Sequence, residues 1–339
     1  METKLLKPTE ENILLACNLL KQGEVVGVPT ETVYGLAGDA CNSNAIKKIF
    51  QAKGRPADNP LIVHISDIKM LDGIVSEFNQ DAQALADAFW PGPLTIIMPK
   101  GKKVCNETTA GLESVGVRMP SNEIARKIIS LSNTPFSAPS ANISGKPSPT
   151  NAEDVYTDMQ GKIPLIIDGG ECDAGVESTV ISVLEKTPII LRPGVVTKED
   201  IEAVLNKPVI VAKEVIEGVK TDSIVRSPGM KYKHYAPNAD VVILKGSLEN
   251  FIKFVNKNKI PETFVMCFEG EEKLFNMPAL PYGNKNDAKS QAHNLFSVLR
   301  KLDELKAQKV FVRCPETSGV ALAVYNRLIR SAGFKIIEV

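Results

Sequence analysis

The stretch QAKGRPADNPLIVHI, residues 51 to 65, runs from the end of an amphipathic helix, through a charged loop punctuated by prolines, into a β-branched strand. The apolar positions Ile46, Ile49 and Phe50 lie at helical spacing and stop near Ala52. Lys53 then suits the negative end of the helix dipole, and Gly54 suits a left-handed cap. A helix handed straight to a strand is the unit of an α/β fold. This local physics explains Lys53 and Gly54 but leaves Arg55, Asp58 and Asn59 without a structural reason, and it leaves His64 inside an apolar strand. A single histidine in such a strand is more often a satisfied core residue than a ligand.

The same alternation extends in both directions. Residues 8 to 22 start at Pro8 and Thr9, carry acids in the first turn and place Ile13, Leu14, Cys17 and Leu20 on one helical face before Gly23; the strand VVGVP follows. Short apolar runs at 60–66, 94–99, 114–120, 135–140, 164–168, 178–183 and 188–192 read as further strands. Thr150 with Glu153 and Thr197 with Asp200 have the spacing of capping boxes. The strands between residues 165 and 192 follow one another too closely for strict βαβ alternation, which predicts antiparallel pairs there. From Asp240 onward, strands and helices alternate regularly and predict a small parallel, Rossmann-like layer; it lacks GxGxxG, so no dinucleotide site is expected in it. Between the two regions, SPGMKYKHYAP (227–237) has no apolar periodicity and reads as a connector. The expected organisation is a mixed, twisted α/β domain over 1–210, a linker over 211–237 and a Rossmann-like α/β domain over 238–339.

Composition narrows the class. The 339 residues are 43% apolar and 24% charged, enough for two cores, and 40 basic residues balance 40 acidic ones. Residues 1–210 hold 20 basic and 26 acidic side chains, a net of −6, so a basic nucleic-acid face is not the first expectation. The six cysteines stand singly, without metal-ligand spacing, as in a reduced cytoplasmic protein. METKLLKPTEEN is too polar for a signal peptide, and no apolar run reaches the roughly 18 residues of a membrane span.

Three segments carry candidate chemistry. In VPTETVYGLAGDA (28–40) a strand yields to hydroxyls and glycines that suit a polar ligand, although taken alone it reads more readily as an ordinary loop. SAPSANISGKPSP (137–149) delivers Ser137, Ser140, Asn142, Ser144 and Ser148 from a strand end, where turn chemistry and a phosphate cradle both fit. Arg118 in VGVRMP and Arg192 in LRPG close strands beside prolines, placed equally for a surface arginine or for a fork of donors to carboxylate or phosphate. GxxxxGK[ST], GxSxG and HExxH do not occur, so any nucleotide is held without a P-loop.

Taken in order, PTETVYGLAGDA, KGRPADNPLIVHI, WPGPLTII, VGVRMP, SAPSANISGKPSPT, STVI and LRPG resemble the YrdC family, and SPGMKYKHYAP with the C-terminal α/β region resembles its long, two-domain members. The resemblance implies a nucleotidyltransferase that condenses L-threonine, bicarbonate and ATP into threonylcarbamoyl-AMP, pyrophosphate and water. A partner transferase would pass the threonylcarbamoyl group to an adenosine beside the tRNA anticodon. It further implies that Thr32, His64, Arg118, Ala138 and Ser178 hold threonine. Lys53, Arg55, Ser140 and Asn142 would surround the reacting phosphates, joined in nucleotide binding by Asn59, Ser114, Ser148, Arg192 and Arg226. Magnesium would arrive with ATP, held by phosphate oxygens and water, with no protein ligand expected. Ser227, Pro228, Gly229 and Tyr235 would form a lid that shields the adenylate from water.

Two other readings compete. An RNA-binding module without catalysis would have to rely on a local patch such as Lys100, Lys102 and Lys103. Carbamoyl transfer for hydrogenase maturation shares the YrdC-like domain but would need acylphosphatase-like and zinc-finger segments that do not occur here.

Overall fold

The structure is a computed structural model that describes residues 1–217 and 234–339. The first of its two sheets contains β1 (Lys4–Leu6), β2 (Val26–Val28), β3 (Gly35–Asp39), β4 (Ile62–His64), β5 (Leu94–Pro99), β6 (Ser114–Arg118), β7 (Phe136–Ser137), β8 (Leu165–Ile167), β9 (Thr179–Ser182), β10 (Ile189–Arg192) and β11 (Ile210–Val211). Their spatial order is β1-β8-β2-β3-β7-β4-β6-β5-β9-β10-β11, with parallel and antiparallel pairs mixed. The second sheet contains β12 (Asp240–Lys245), β13 (Thr263–Cys267), β14 (Ala279–Pro281), β15 (Lys309–Arg313) and β16 (Ile336–Glu338) in the order β14-β13-β15-β12-β16. All of its pairs are parallel, as crossover helices require.

Local chemistry sets the element ends. Thr9 caps helix Glu10–Lys21 by accepting the Asn12 amide; Glu10 and Glu11 lie in the first turn, Lys21 lies in the last, and Ile13, Ala16, Cys17 and Leu20 are buried. Helix Ser43–Lys53 starts on the Asn42 side chain and ends at Gly54 in the left-handed region, φ 60°. The Gly54 and Arg55 amides return to the carbonyls of Gln51 and Phe50. The capping box at Thr197 and Asp200 forms, with both reciprocal bonds present.

Three expectations are corrected. Thr150 and Glu153 do not form a capping box: Asn151 caps helix Ala152–Met159, its side chain accepting the Asp154 amide at 2.8 Å. Asx side chains take this place as readily as hydroxyls do. The strand 164–168 does not join the antiparallel group near it, because β8 lies parallel between β1 and β2. Only β9 and β10 pair antiparallel in that region. Finally, the polar loop after VVGVP is followed by a strand that was not expected: Gly35–Asp39 is β3, antiparallel to β2.

The two regions share apolar contacts. The cluster that fills the second sheet's face toward the first includes Leu295, Phe296, Leu299 and Leu328, and continues onto Val33, Val176 and Tyr235. Each fully buried aliphatic side chain of this kind contributes roughly 1.5–3 kcal/mol relative to exposure.

Candidate active site

Strand register brings the first group of functional side chains together. β4 and β6 are parallel with His64 opposite Arg118, and β7 runs antiparallel on the other side of β4 with Phe136 opposite His64. The imidazole stacks on the Phe136 ring at 5.5 Å between centroids. Its Nδ1 lies 3.1 Å from the Ile62 carbonyl, which can only accept, so Nδ1 carries the hydrogen and Nε2 is the acceptor. Burial, reinforced by the Arg118 charge, lowers the His64 pKa to about 3 and keeps the ring neutral.

Arg118 is 4% exposed and its fork is partly committed. Nη2 stands 2.6 Å from Glu31 Oε1, Nη1 donates to Thr32 Oγ at 2.9 Å, and Nε donates to the Gly92 carbonyl. Burial alone would raise the Glu31 pKa; the guanidinium outweighs it and holds the carboxyl below the usual range. Thr30 Oγ donates to the Val33 carbonyl at 2.6 Å and lies 2.9 Å from Thr32 Oγ, fixing the turn that presents both hydroxyls.

The second group comes from loops. Lys53, which ends its helix and was also expected beside Ser140 and Asn142, sends its Nζ inward to the carbonyls of those two residues, the latter at 2.7 Å. Burial, and then the charge of Arg55, push its pKa well below that of an ordinary lysine. The loop it reaches is drawn tight: Asn142 Nδ2 donates to the carbonyls of Ile143 and Lys146. A Cβ at Gly35 would stand 2.9 Å from the Ala138 Cβ, so only glycine lets β3 pass this loop so closely. Across the cavity, Arg192 donates from Nε to the Ser178 carbonyl and from Nη2 to Ser178 Oγ, both at 3.1 Å; that hydroxyl also lies 2.8 Å from Thr95 Oγ. Burial lowers the Arg192 pKa to about 10.

One cavity gathers Thr32, Lys53, Arg55, His64, Arg118, Ala138, Ser140, Asn142, Ser178, Arg192 and Tyr235. Three expected residues do not line it. Ser148 sits behind the wall, its hydroxyl donating to Glu177 Oε1 at 2.5 Å. Asn59 is fully buried, and its amide has no hydrogen-bond partner among the described residues. Ser114 is at the other end of β6 from Arg118 and lines a separate slot, which shares Leu61 and Ile62 with the cavity. Arg226, Ser227, Pro228 and Gly229 lie outside the described residues. Tyr235 lies at the boundary of the two domains, its ring 5.2 Å from Phe296.

The cavity has Thr30 and Val33 of the first loop and Ser144 of the serine-rich segment among its lining residues, and it shows what sequence reading missed: Lys146, Glu177 and His234. Glu177 stands directly before Ser178 in STVI's approach, and His234 stands directly before Tyr235, so their neighbours were the only signals. Five lysines and arginines face one lining carboxylate, Glu177, so the cavity is anion-seeking although its domain is net acidic. Among the described residues, no group of His, Cys, Asp and Glu side chains could hold a metal ion. None of their helices is long and apolar enough to cross a membrane.

Two family models match the chain: Sua5_yciO_yrdC, described as "Telomere recombination", over residues 18–194, and Sua5_C, described as "Threonylcarbamoyl-AMP synthase, C-terminal domain", over 196–333. The chain is 43% identical to the threonylcarbamoyl-AMP synthase of Pyrococcus abyssi, covering 97% of this chain and 96% of that one. It is equally similar, at 43%, to the Bacillus subtilis protein of the same name, with 99% and 97% covered. The crystal structure of P. abyssi Sua5 complexed with L-threonine superposes with a TM-score of 0.90 at 41% identity, over 100% of this chain and 99% of that one.

Proposed function

We propose that this chain, which belongs to the two-domain Sua5/YciO/YrdC family, is a threonylcarbamoyl-AMP synthase that joins L-threonine, bicarbonate and ATP and releases pyrophosphate and water. The observation that carries the reading is one cavity with two unlike ends: the Arg118, Thr32 and His64 end suits an amino acid, and the Lys53, Arg55 and Arg192 side suits phosphates.

The chemistry follows from these groups. Three of the five N–H donors of Arg118 are used by Glu31, Thr32 and Gly92, which leaves two for the threonine carboxylate. Glu31 fixes the guanidinium plane before threonine arrives. Neutral His64 offers Nε2 as an acceptor for a threonine N–H or O–H. The threonine amine, once its ammonium proton has left, adds to the carbon of bicarbonate, or of carbon dioxide derived from it, forming an N–C bond with loss of water. A carbamate oxygen then bonds to the α-phosphorus of ATP, and the bond to the pyrophosphate oxygen breaks. Such a transfer depends on alignment and charge neutralisation, which the five cationic side chains lining the cavity supply, with no covalent enzyme intermediate. It makes the protein a nucleotidyltransferase.

The two carboxylates nearest this chemistry, Glu31 and Glu177, are each engaged by an arginine. Magnesium that accompanies ATP would therefore take phosphate oxygens and water. The slot beyond Leu61 and Ile62, with Ser114 on its wall, is only wide enough for about one water, so Ser114 stands apart from this chemistry. His234 and Tyr235 roof the cavity as the inner face of a lid. A downstream transferase would consume the adenylate to modify tRNA. Six free cysteines suit a reducing cytoplasm. The RNA-module reading loses support, since Lys100 and Lys103 bond Asn106 and Asp72 instead of forming a bare basic strip.

The test is pyrophosphate release from ATP, measured with threonine and bicarbonate each added or withheld. Release that requires both supports the synthase; release indifferent to either overturns it.

A further inference from the structure

Arg327 belongs to the helix Ala321–Ser331 of the second domain, but most of its bonds cross into the first. It is wholly buried. Nε donates to Glu177 Oε2 at 2.9 Å and Nη2 to the Glu177 carbonyl at 3.2 Å. Nη1 donates to the Pro193 carbonyl at 2.7 Å and to Asn326 Oδ1 at 3.0 Å. The guanidinium carbon lies 5.9 Å from the centre of the Tyr235 ring.

What Arg327 grips is significant. Glu177 directly precedes Ser178, and Pro193 directly follows Arg192, so one guanidinium pins the outer flanks of the Ser178–Arg192 pair. The Glu177 carboxylate lines the cavity and takes the Ser148 hydroxyl on its other oxygen. Burial would favour its protonated form; Arg327 first, then Arg192, and the Ser148 bond hold it below the usual carboxyl range. Glu177 thus feels two arginines, of which only Arg327 is bonded to its carboxylate. A buried carboxylate that loses its bonded counter-ion is left uncompensated, and Arg192 is then the arginine whose charge it draws on.

We propose that Arg327 is a positioning residue for the nucleotide: as the dedicated counter-ion of Glu177 it keeps that carboxylate off Arg192, leaving the Arg192 fork to ATP phosphate. The second domain then completes the phosphate side of a cavity built otherwise by the first. Ser148, expected from sequence to touch nucleotide, becomes part of the same brace, since its hydroxyl is spent on Glu177.

The inference rests on reading the cavity as an ATP and threonine site, and one assay separates the two. In the full-length protein, Arg327→Met is expected to raise the KM for ATP about 30-fold while the KM for threonine stays within about twofold. Adding Glu177→Gln to Arg327→Met removes the stranded carboxylate and should recover at least about tenfold of that loss. Arg327→Lys, which keeps the charge and folds under milder perturbation, should stay within about fivefold of wild type for ATP. If both KM values rise together in Arg327→Met, or the double variant is no better than the single, Arg327 is only a strut between domains and the proposal fails. Should Arg327→Met not fold, an Arg327→Lys protein with normal melting whose ATP and threonine KM values both rise together by more than about fivefold overturns it equally. Wild-type pyrophosphate release that ignores threonine would instead overturn the reading of the cavity itself.

Discussion

The two ends of the cavity are built by opposite means. The amino-acid end is made by strand pairing: His64 and Arg118 face each other because β4 and β6 are in register, and Arg118 is held by Glu31 and Thr32 before any ligand binds. The phosphate side is made by loop ends, with Lys53 after a helix, Ser140 and Asn142 in a turn-rich segment and Arg192 at the end of β10. Buried side-chain pairs in a sheet cannot adjust when one member is lost, whereas loop donors share their task with neighbours. Substitutions at the first end should therefore be more damaging and more specific.

The largest expected effect is that of Arg118→Ala, which removes the carboxylate donor and strands Glu31 in the interior. We expect kcat/KM for threonine to fall about 1,000-fold or more, with stability lowered by roughly 3–5 kcal/mol and ATP binding changed little. Steady-state kinetics, equilibrium ATP binding and urea unfolding check this; equal loss of ATP and threonine binding would erase the distinction between the ends. Lys53→Met comes next: loss of a cation bonded to two carbonyls should cost about 100-fold in kcat/KM for ATP, with the threonine KM nearly unchanged. Smaller is Thr32→Ala, which deletes one hydrogen bond to Arg118 and should cost about tenfold in threonine kcat/KM.

A pH experiment addresses the same contrast through stability. The folded pKa of His64, about 3, lies below the ordinary histidine value, so its contribution is complete above roughly pH 6.5 and is lost as pH falls toward the folded value. Urea unfolding at pH 7 and pH 4.5 should show wild type losing on the order of 2 kcal/mol more than His64→Gln. His234, also lowered to about 3 by burial, is common to both proteins and cancels in the comparison. The mildest change is Gly54→Ala at the head of the loop. Its φ of 60° costs about 1 kcal/mol with any other residue, and nothing lies within 4 Å of an added Cβ. A melting shift of a few degrees with a near-normal ATP KM is expected.

How far the sequence could be read follows the same division. The second domain, with regular alternation and crossover helices, was legible almost throughout; only β14, a short edge strand of residues Ala279–Pro281, escaped. In the first domain, β3 was hidden because Gly35, Ala37 and Gly38 have little strand propensity, and its existence depends on β2 beside it. Lys53 could be read both as a helix-end charge and as a member of the cleft, but its bonds to the Ser140 and Asn142 carbonyls come from a segment far away in sequence and had to be seen. Glu31 had no local signal at all, since its partner Arg118 is distant in sequence. Ser114 shares a strand with Arg118 but opens onto another slot. Ordered motifs identified the family, whereas pairings between distant segments had to be seen.

The bond from Arg327 to Glu177 spans 150 residues. While the chain is still being made, the first domain can close its sheet long before the helix Ala321–Ser331 has left the ribosome. Until that helix docks, Glu177 lacks its counter-ion and the wall beside Arg192 is unfinished. On the role proposed for Arg327, a nascent or prematurely terminated chain therefore binds ATP more weakly than the finished protein.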